Sequence, residues 1–230
     1  MNEVFSKKAV NLLRDEMCIC LDDLHNHLIS KVPTKINVFR EFFDFLSELN
    51  PLHKHPEPGS VEYCENDHYL NKRILEFSNT LGIKDNTEEY FIVDNVRHAF
   101  ISFKDGGLCS LYKNREAENW YPKIVIRKIL GVNNLVGEIV IYRGTSISEY
   151  ELGKFSQSWT LQEKVAHDFA FEHYQIHDKY INTERVVLKS RINANHIYYY
   201  YETDHEQEVI IDEREIIDYP PAIICERILN

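Results

Sequence analysis

The chain has 230 residues, enough to bury a substantial core as one large domain or two small ones. Its formal net charge is -11, and the last thirty residues hold nine acidic side chains against two basic ones. That balance argues against broad binding of a phosphate backbone, which needs Lys and Arg to displace counterions. The five cysteines, Cys18, Cys20, Cys64, Cys109 and Cys225, form no CxxC pair and no zinc-like spacing, so reduced thiols are expected. The first residues lack a signal peptide's continuous apolar segment, and no run approaches the ~20 apolar residues that span a bilayer. A cytoplasmic protein without membrane association is the expectation.

Helical periodicity dominates the first part of the chain. Over 4–17, Val4, Phe5, Val10, Leu12 and Leu13 recur near the helical period, and 36–50 repeats the pattern more strongly. Both stripes read as core-facing surfaces. The prolines and glycine of 53–60 mark an internal break, and a further helix over 67–82 is expected to end at Gly82. From about residue 120, short β-rich runs take over. The β-branched run 138–144 predicts a buried strand. In 185–192, Val186, Leu188 and Ile192 alternate with Arg185, Lys189 and Arg191, which predicts a half-buried strand. Three more strands are expected over 196–201, 208–212 and 222–229. Between them, 160–174 reads as a helix: Thr160 and Glu163 stand at capping-box spacing, and Leu161, Val165 and Phe169 share one face.

Several chemistries lack their motifs. None of the eight glycines builds a GxGxxG or a P-loop, and no GxSxG elbow occurs. His173 and His177, at i and i+4, read as an exposed pair on a polar helix face rather than a metal site; no metal is expected. The string at 25–27, His-Asn-His, lacks the surroundings of a nuclease. A basic, aromatic stretch over 111–128, with Tyr112, Lys113, Arg115, Trp120, Tyr121, Lys123, Arg127 and Lys128, has the composition of a single-stranded nucleic acid surface, but it also suits an ordinary amphipathic segment, which is the favoured reading.

Glu206 and Glu208 stand one residue apart at the start of an apolar run. On a strand, side chains alternate, so both carboxylates are expected on one face, where like charges repel. Two earlier pieces bear on this pair. A strand ending in Arg143 is followed by Gly144, which permits a turn or the close approach of a ligand. A second strand carries Ser156 and Ser158 and leads into the capped helix.

These pieces resemble the ADP-ribosyltransferases of the Arg-Ser-Glu type, which include bacterial toxins, phage transferases and vertebrate ectoenzymes. Arg143 looks like that family's first-strand arginine, Ser158-Trp159-Thr160 like its Ser-Thr-Ser motif, and Glu206-Gln207-Glu208 like its Glu-x-Glu motif. The resemblance covers roughly 138–218. It departs from the pattern at Trp159, a bulky ring where a small side chain is usual, and at Thr160.

Helical periodicity in the first part and the resemblance in the second together imply an α+β protein: a helical N-terminal region, 1–110, followed by a compact ADP-ribosyltransferase-like mixed β-sandwich, 111–230. The N-terminal region would recognise the target, bind a partner or buttress the sheet. The implied activity is cleavage of NAD, the co-substrate, with transfer of ADP-ribose to a macromolecular acceptor. Glu208 would stabilise the ribosyl cation and Glu206 would orient or deprotonate the nucleophile. Ser158, with Thr160 beside it, would hold the sugar. Arg143 would face the diphosphate, with Gly144 permitting approach. Trp159, Phe155 and Tyr142 would either cover the rings of NAD or belong to the core. The Glu-x-Glu pair favours protein arginine as acceptor. Transfer to RNA or DNA by a toxin with an antitoxin partner, NAD hydrolysis, and an inactive binding module are the alternatives.

Overall fold

The computed structural model describes residues 4–53, 60–103, 120–129, 134–172, 183–200 and 205–227. It divides into two units, Met1–Val125 and Ile126–Asn230. The first is helical: α1 (Lys7–Val10), which continues as the π-helical turn Asn11–Glu16, then α2 (Leu21–Lys31), α3 (Ile36–Leu49), α4 (Val61–Thr80) and α5 (Glu88–Ser102). The stripe expected over 36–50 becomes α3, which buries Phe39, Phe42, Phe43 and Leu46. The helix expected over 67–82 starts earlier, at Val61, because the Ser60 hydroxyl caps it by accepting from the Tyr63 amide. Gly82, at φ 73, takes the left-handed conformation just past its end. α5 has no counterpart in the sequence reading. Thr87 caps it and Glu88 and Glu89 complement its first turn. Its buried stripe, Ile92, Val96, Ala99 and Phe103, is obscured in the sequence by Phe91, which is 51% exposed. The proposed break at 53–60 lies almost wholly outside the described residues.

The second unit carries the strands β1 (Glu138–Ser146), β2 (Ser158–Thr160), β3 (Arg185–Asn193), β4 (Ile197–Tyr200), β5 (Glu208–Ile211) and β6 (Ala222–Arg227), with helices α6 (Ile147–Leu152) and α7 (Glu163–Phe171). They form one sheet in the order β4-β5-β2-β1-β3-β6. Each of its pairings is antiparallel, in place of the expected mixed sandwich. The β1–β2 link, residues 147–157, carries the short helix α6 and is still shorter than the dozen or more residues that a parallel crossover needs, so the chain returns antiparallel.

The sheet is curled. Only the 3-10 turn Ala194–His196 separates β3 from β4, a span of roughly 8 Å at a rise of about 2 Å per residue. In a flat sheet of this strand order the two would lie about 19 Å apart, four spacings of ~4.8 Å. Curling brings β4 and β5 round toward β1 and β3, so Ile141, Trp159, Leu188, Ile197, Val209 and Ile211 share one core. The other face carries α7, whose Ala166, Ala170 and Phe171 pack on Val187 and Tyr142. β3 is therefore buried on both faces over its first half, and Arg185, expected on the polar side, is buried with Nη2 donating to the Phe169 carbonyl at 3.4 Å.

Two local expectations are corrected around α7. Its N-cap is Gln162 and no side chain caps it. Thr160 is instead the last residue of β2, and its hydroxyl serves the neighbouring turn. The buried stripe is Ala166 and Ala170 rather than Leu161, Val165 and Phe169, because the helix meets β1 at Gly144. A Cβ on Gly144 would stand 2.1 Å from the Ala166 carbonyl oxygen and 2.6 Å from the Ala170 amide nitrogen.

Among the described residues no helix is long and apolar enough to cross a membrane, and no group of three metal-ligating side chains is found. The pair His173 and His177, and the first half of the basic, aromatic stretch, 111–119, lie outside the described residues; in its second half Tyr121 is buried.

Candidate functional site

β2 is three residues long and lies between β1 and β5. Its Thr160 stands opposite Tyr142 of β1 and opposite Glu208 of β5. Residues paired across antiparallel strands share a face, so Tyr142, Thr160 and Glu208 project together. Ser158, two residues from Thr160, joins them, and its hydroxyl donates to Glu208 Oε1 at 2.5 Å. Glu208 is 6% exposed. A hydroxyl and a carboxylate thus meet on neighbouring strands at the start of β5.

Glu206 is brought near by a different device from the one expected. β5 begins at Glu208, and Gln207 takes a left-handed conformation at φ 43, so the alternation that would align the two carboxylates is broken. Glu206 lies in the preceding turn. Three contacts from the β2–α7 connection fasten that turn. The Thr160 hydroxyl donates to the Glu206 carbonyl at 2.6 Å. The Leu161 amide donates to the Gln207 carbonyl at 3.2 Å, and Gln162 Nε2 donates to the His205 carbonyl at 3.1 Å. The Glu206 carboxylate lies 3.7 Å from the His205 imidazole.

Arg143 stands on the opposite face, with Ile141 and Thr145, one residue out of phase with Tyr142. Its guanidinium is a fork on Glu149 of α6: Nε reaches Oε1 at 3.0 Å and Nη2 reaches Oε2 at 3.0 Å. Nη1 donates to the Ser158 carbonyl at 2.6 Å. Glu149 also accepts from the Thr145 hydroxyl at 2.5 Å and from the Ser156 amide at 2.9 Å. Burial of this carboxyl favours its neutral form. The Arg143 charge and the hydrogen bonds from Arg143, Thr145 and Ser156 outweigh that effect and hold it below the usual carboxylate range. Arg143 therefore joins the site through the backbone of Ser158, with its fork on a carboxylate rather than on a ligand's diphosphate.

Two further expectations are revised. Gly144 lies inside β1, and the approach it permits is that of α7. Trp159 is 2% exposed and belongs to the core, with Nε1 donating to the Ser156 carbonyl at 3.0 Å. Phe155 is buried in the same cluster, edge-on to Trp159. Tyr142 is half-buried under α7.

Glu149, Thr145 and Gln162 were not among the residues singled out by sequence. The signal for α6 is present: Ser146 and Glu149 have capping-box spacing, and the Ser146 hydroxyl accepts from the Glu149 amide at 3.3 Å. What the spacing does not reveal is that the Glu149 side chain turns to Arg143.

No protein-family model, no curated protein and no solved structure matches this chain. A functional reading thus rests on the motif resemblance in the sequence together with the geometry of the site.

Proposed function

We propose that this chain is a mono-ADP-ribosyltransferase that takes ADP-ribose from NAD and passes it to a macromolecular acceptor, with protein arginine the favoured class. The observation that carries the reading is the 2.5 Å hydrogen bond between Ser158 and the buried Glu208, with Glu206 two residues before it on a clamped turn. A carboxylate beside a hydroxyl suits a ribose diol: one group accepts from a sugar hydroxyl while the other fixes the first in place.

NAD supplies a glycosidic bond whose electron pair departs with neutral nicotinamide, so the demand on the protein is stabilisation of positive charge rather than acid catalysis. Glu208 faces that charge from a buried position, where a fixed carboxylate is worth more than in solvent. Ser158 holds Glu208 in one orientation. Glu206, nearer solvent, takes the proton that the attacking nitrogen loses. The charge at Arg143 enters this reading through Ser158.

The test uses NAD labelled in the adenylate moiety, incubated with the protein and a cell lysate. Label that protease releases and nuclease leaves in place is the expected result. Label released by nuclease would move the acceptor to RNA or DNA, and nicotinamide release without stable label would leave hydrolysis.

A further inference from the structure

We propose that Glu149 is a positioning residue which, through Arg143, sets the Ser158 hydroxyl against the Glu208 carboxylate. The inference rests on Ser158 and Glu208 being the reacting pair, and it arises from how β2 is held. β1 pairs with β3 along all nine of its residues, whereas its register with β2 is a single pair, Tyr142 with Thr160. The Ser158 end of β2 thus lies beyond the ladder to β1: backbone pairing with Ile210 of β5 ties it on one side, and on the β1 side it is side chains that hold it.

Glu149 grips that end twice. Oε1 accepts directly from the Ser156 amide, and the Ser158 carbonyl is reached through Arg143 Nη1. A guanidinium is planar, so with Nε and Nη2 both committed to one carboxylate the direction of Nη1 is fixed. The Thr145 hydroxyl on Oε2 fixes the carboxylate in turn. Arg143 and Glu149 are 11% and 18% exposed, which limits the freedom of either to turn into solvent. The segment 156–158 is held at both ends by one carboxylate. Ser158, whose hydroxyl meets Glu208, is the last link.

The experiment measures nicotinamide release from NAD by full-length wild type, Glu149→Gln, Ser158→Ala and the double variant, with thermal melts alongside. A Gln at 149 places an amide donor against Arg143 in either orientation, facing Nε and the Ser156 amide or Nη2 and the Thr145 hydroxyl, and breaks the fork. The expected loss is about tenfold or more in kcat with KM for NAD held within about threefold, and little further loss once Ser158→Ala is present. Losses that multiply in the double variant, or a loss confined to KM, overturn the proposal.

If Glu149→Gln fails to fold, Arg143→Met with Glu149→Leu removes both charges at similar volume, a replacement that buried pairs often tolerate. That variant is expected to fold and to show the same loss, and wild-type kcat in it overturns the proposal. Absence of nicotinamide release by wild type would strike the transferase reading alone. Positioning is then read from a crystal structure of this folded variant. Ser158 Oγ beyond hydrogen-bond reach of Glu208 supports it, and an unchanged contact overturns it.

Discussion

The helical and sheet units bury polar groups in different ways. Among the described residues, His53 and Ser78 are the buried polar side chains of the helical unit. Thr145, Gln157, Thr160, Arg185, Ser190, Glu208 and Asp212 are those of the sheet unit. The two in the helical unit bond to main-chain carbonyls: Ser78 Oγ to Ile74 at 2.8 Å, and His53 Nε2 at 3.0 Å from the Ile101 oxygen. In the sheet unit, buried polar groups join separate elements. Gln157 exchanges amide hydrogen bonds with the Ile126 backbone and also reaches the Ile211 carbonyl. Asp212 accepts from Tyr198 and Arg214. A half-satisfied polar interior is costly, while a satisfied one fixes a unique arrangement. Both units have an apolar core; the sheet unit adds more buried polar side chains that tie its elements together, and the candidate chemistry sits among them.

Substitutions can break this contrast. Truncation should act most strongly on the apolar core: Phe43→Ala, at a fully buried site between Phe39 and Phe42, is expected to cost about 4 kcal/mol in denaturant unfolding. A cost below about 1 kcal/mol would deny that packing holds the helices. Next comes Arg143→Met alone, which strands Glu149 without its cation and should cost about 3 kcal/mol. Adding Glu149→Leu should recover most of it. Equal stability of the single and double variants would remove the basis for the polar network. Gly144→Ala should follow, at roughly 2 to 3 kcal/mol, since the new methyl meets α7 backbone atoms. Ala166→Gly should not rescue it, because the clash is with a main-chain oxygen.

Acid should act least per group, and differently in the two units. Burial, aided by the charge of Lys31, lowers the pKa of His27 from 6.5 despite Asp23 and Glu88. As pH falls below that value the unfolded chain gains a proton that the folded chain resists, and stability declines. In the sheet unit, hydrogen bonds from Arg214 and Tyr198 outweigh desolvation and lower the pKa of Asp212 from 3.8. That of Glu149 is lowered from 4.5. Their stabilisation is complete above those values and is lost as pH falls through the folded pKa. The two tryptophans report separately: Trp120 stacks on His27 with ring centroids 4.0 Å apart, and Trp159 lies in the sheet core. The difference in fluorescence between wild type and Trp120→Phe should change only below pH 6.5, as His27 takes up its proton, while the Trp159 signal of Trp120→Phe should hold to about pH 4.5. Coincident changes would contradict the distinction.

Periodicity made much of this fold legible. α3 and β3 came from apolar spacing, and β1 from its β-branched run, because a buried stripe leaves its period in the sequence. The same logic failed at α7, where the contact is with a glycine and the buried stripe is alanine, which carries little hydrophobic signal. At the site, Ser158, Thr160, Glu206 and Glu208 were legible as a motif, but their geometry was not. Gln207 adopts a conformation uncommon for a residue with a side chain, so alternation misplaced Glu206. Glu149 was illegible because its bond to Arg143 depends on where α6 turns. Trp159 had two readings in the sequence, and the curl of the sheet decided for the core.

The central claim is that Glu208 faces a developing ribosyl cation. Nicotinamide release from NAD by wild type and Glu208→Gln, both checked for folding by circular dichroism and given lysate as acceptor, tests it most directly. The expected result is release by wild type and a loss of about 10²- to 10³-fold in Glu208→Gln, the scale set by removing one preorganised electrostatic contact. Equal rates in folded wild type and Glu208→Gln, or no release by either, would contradict it.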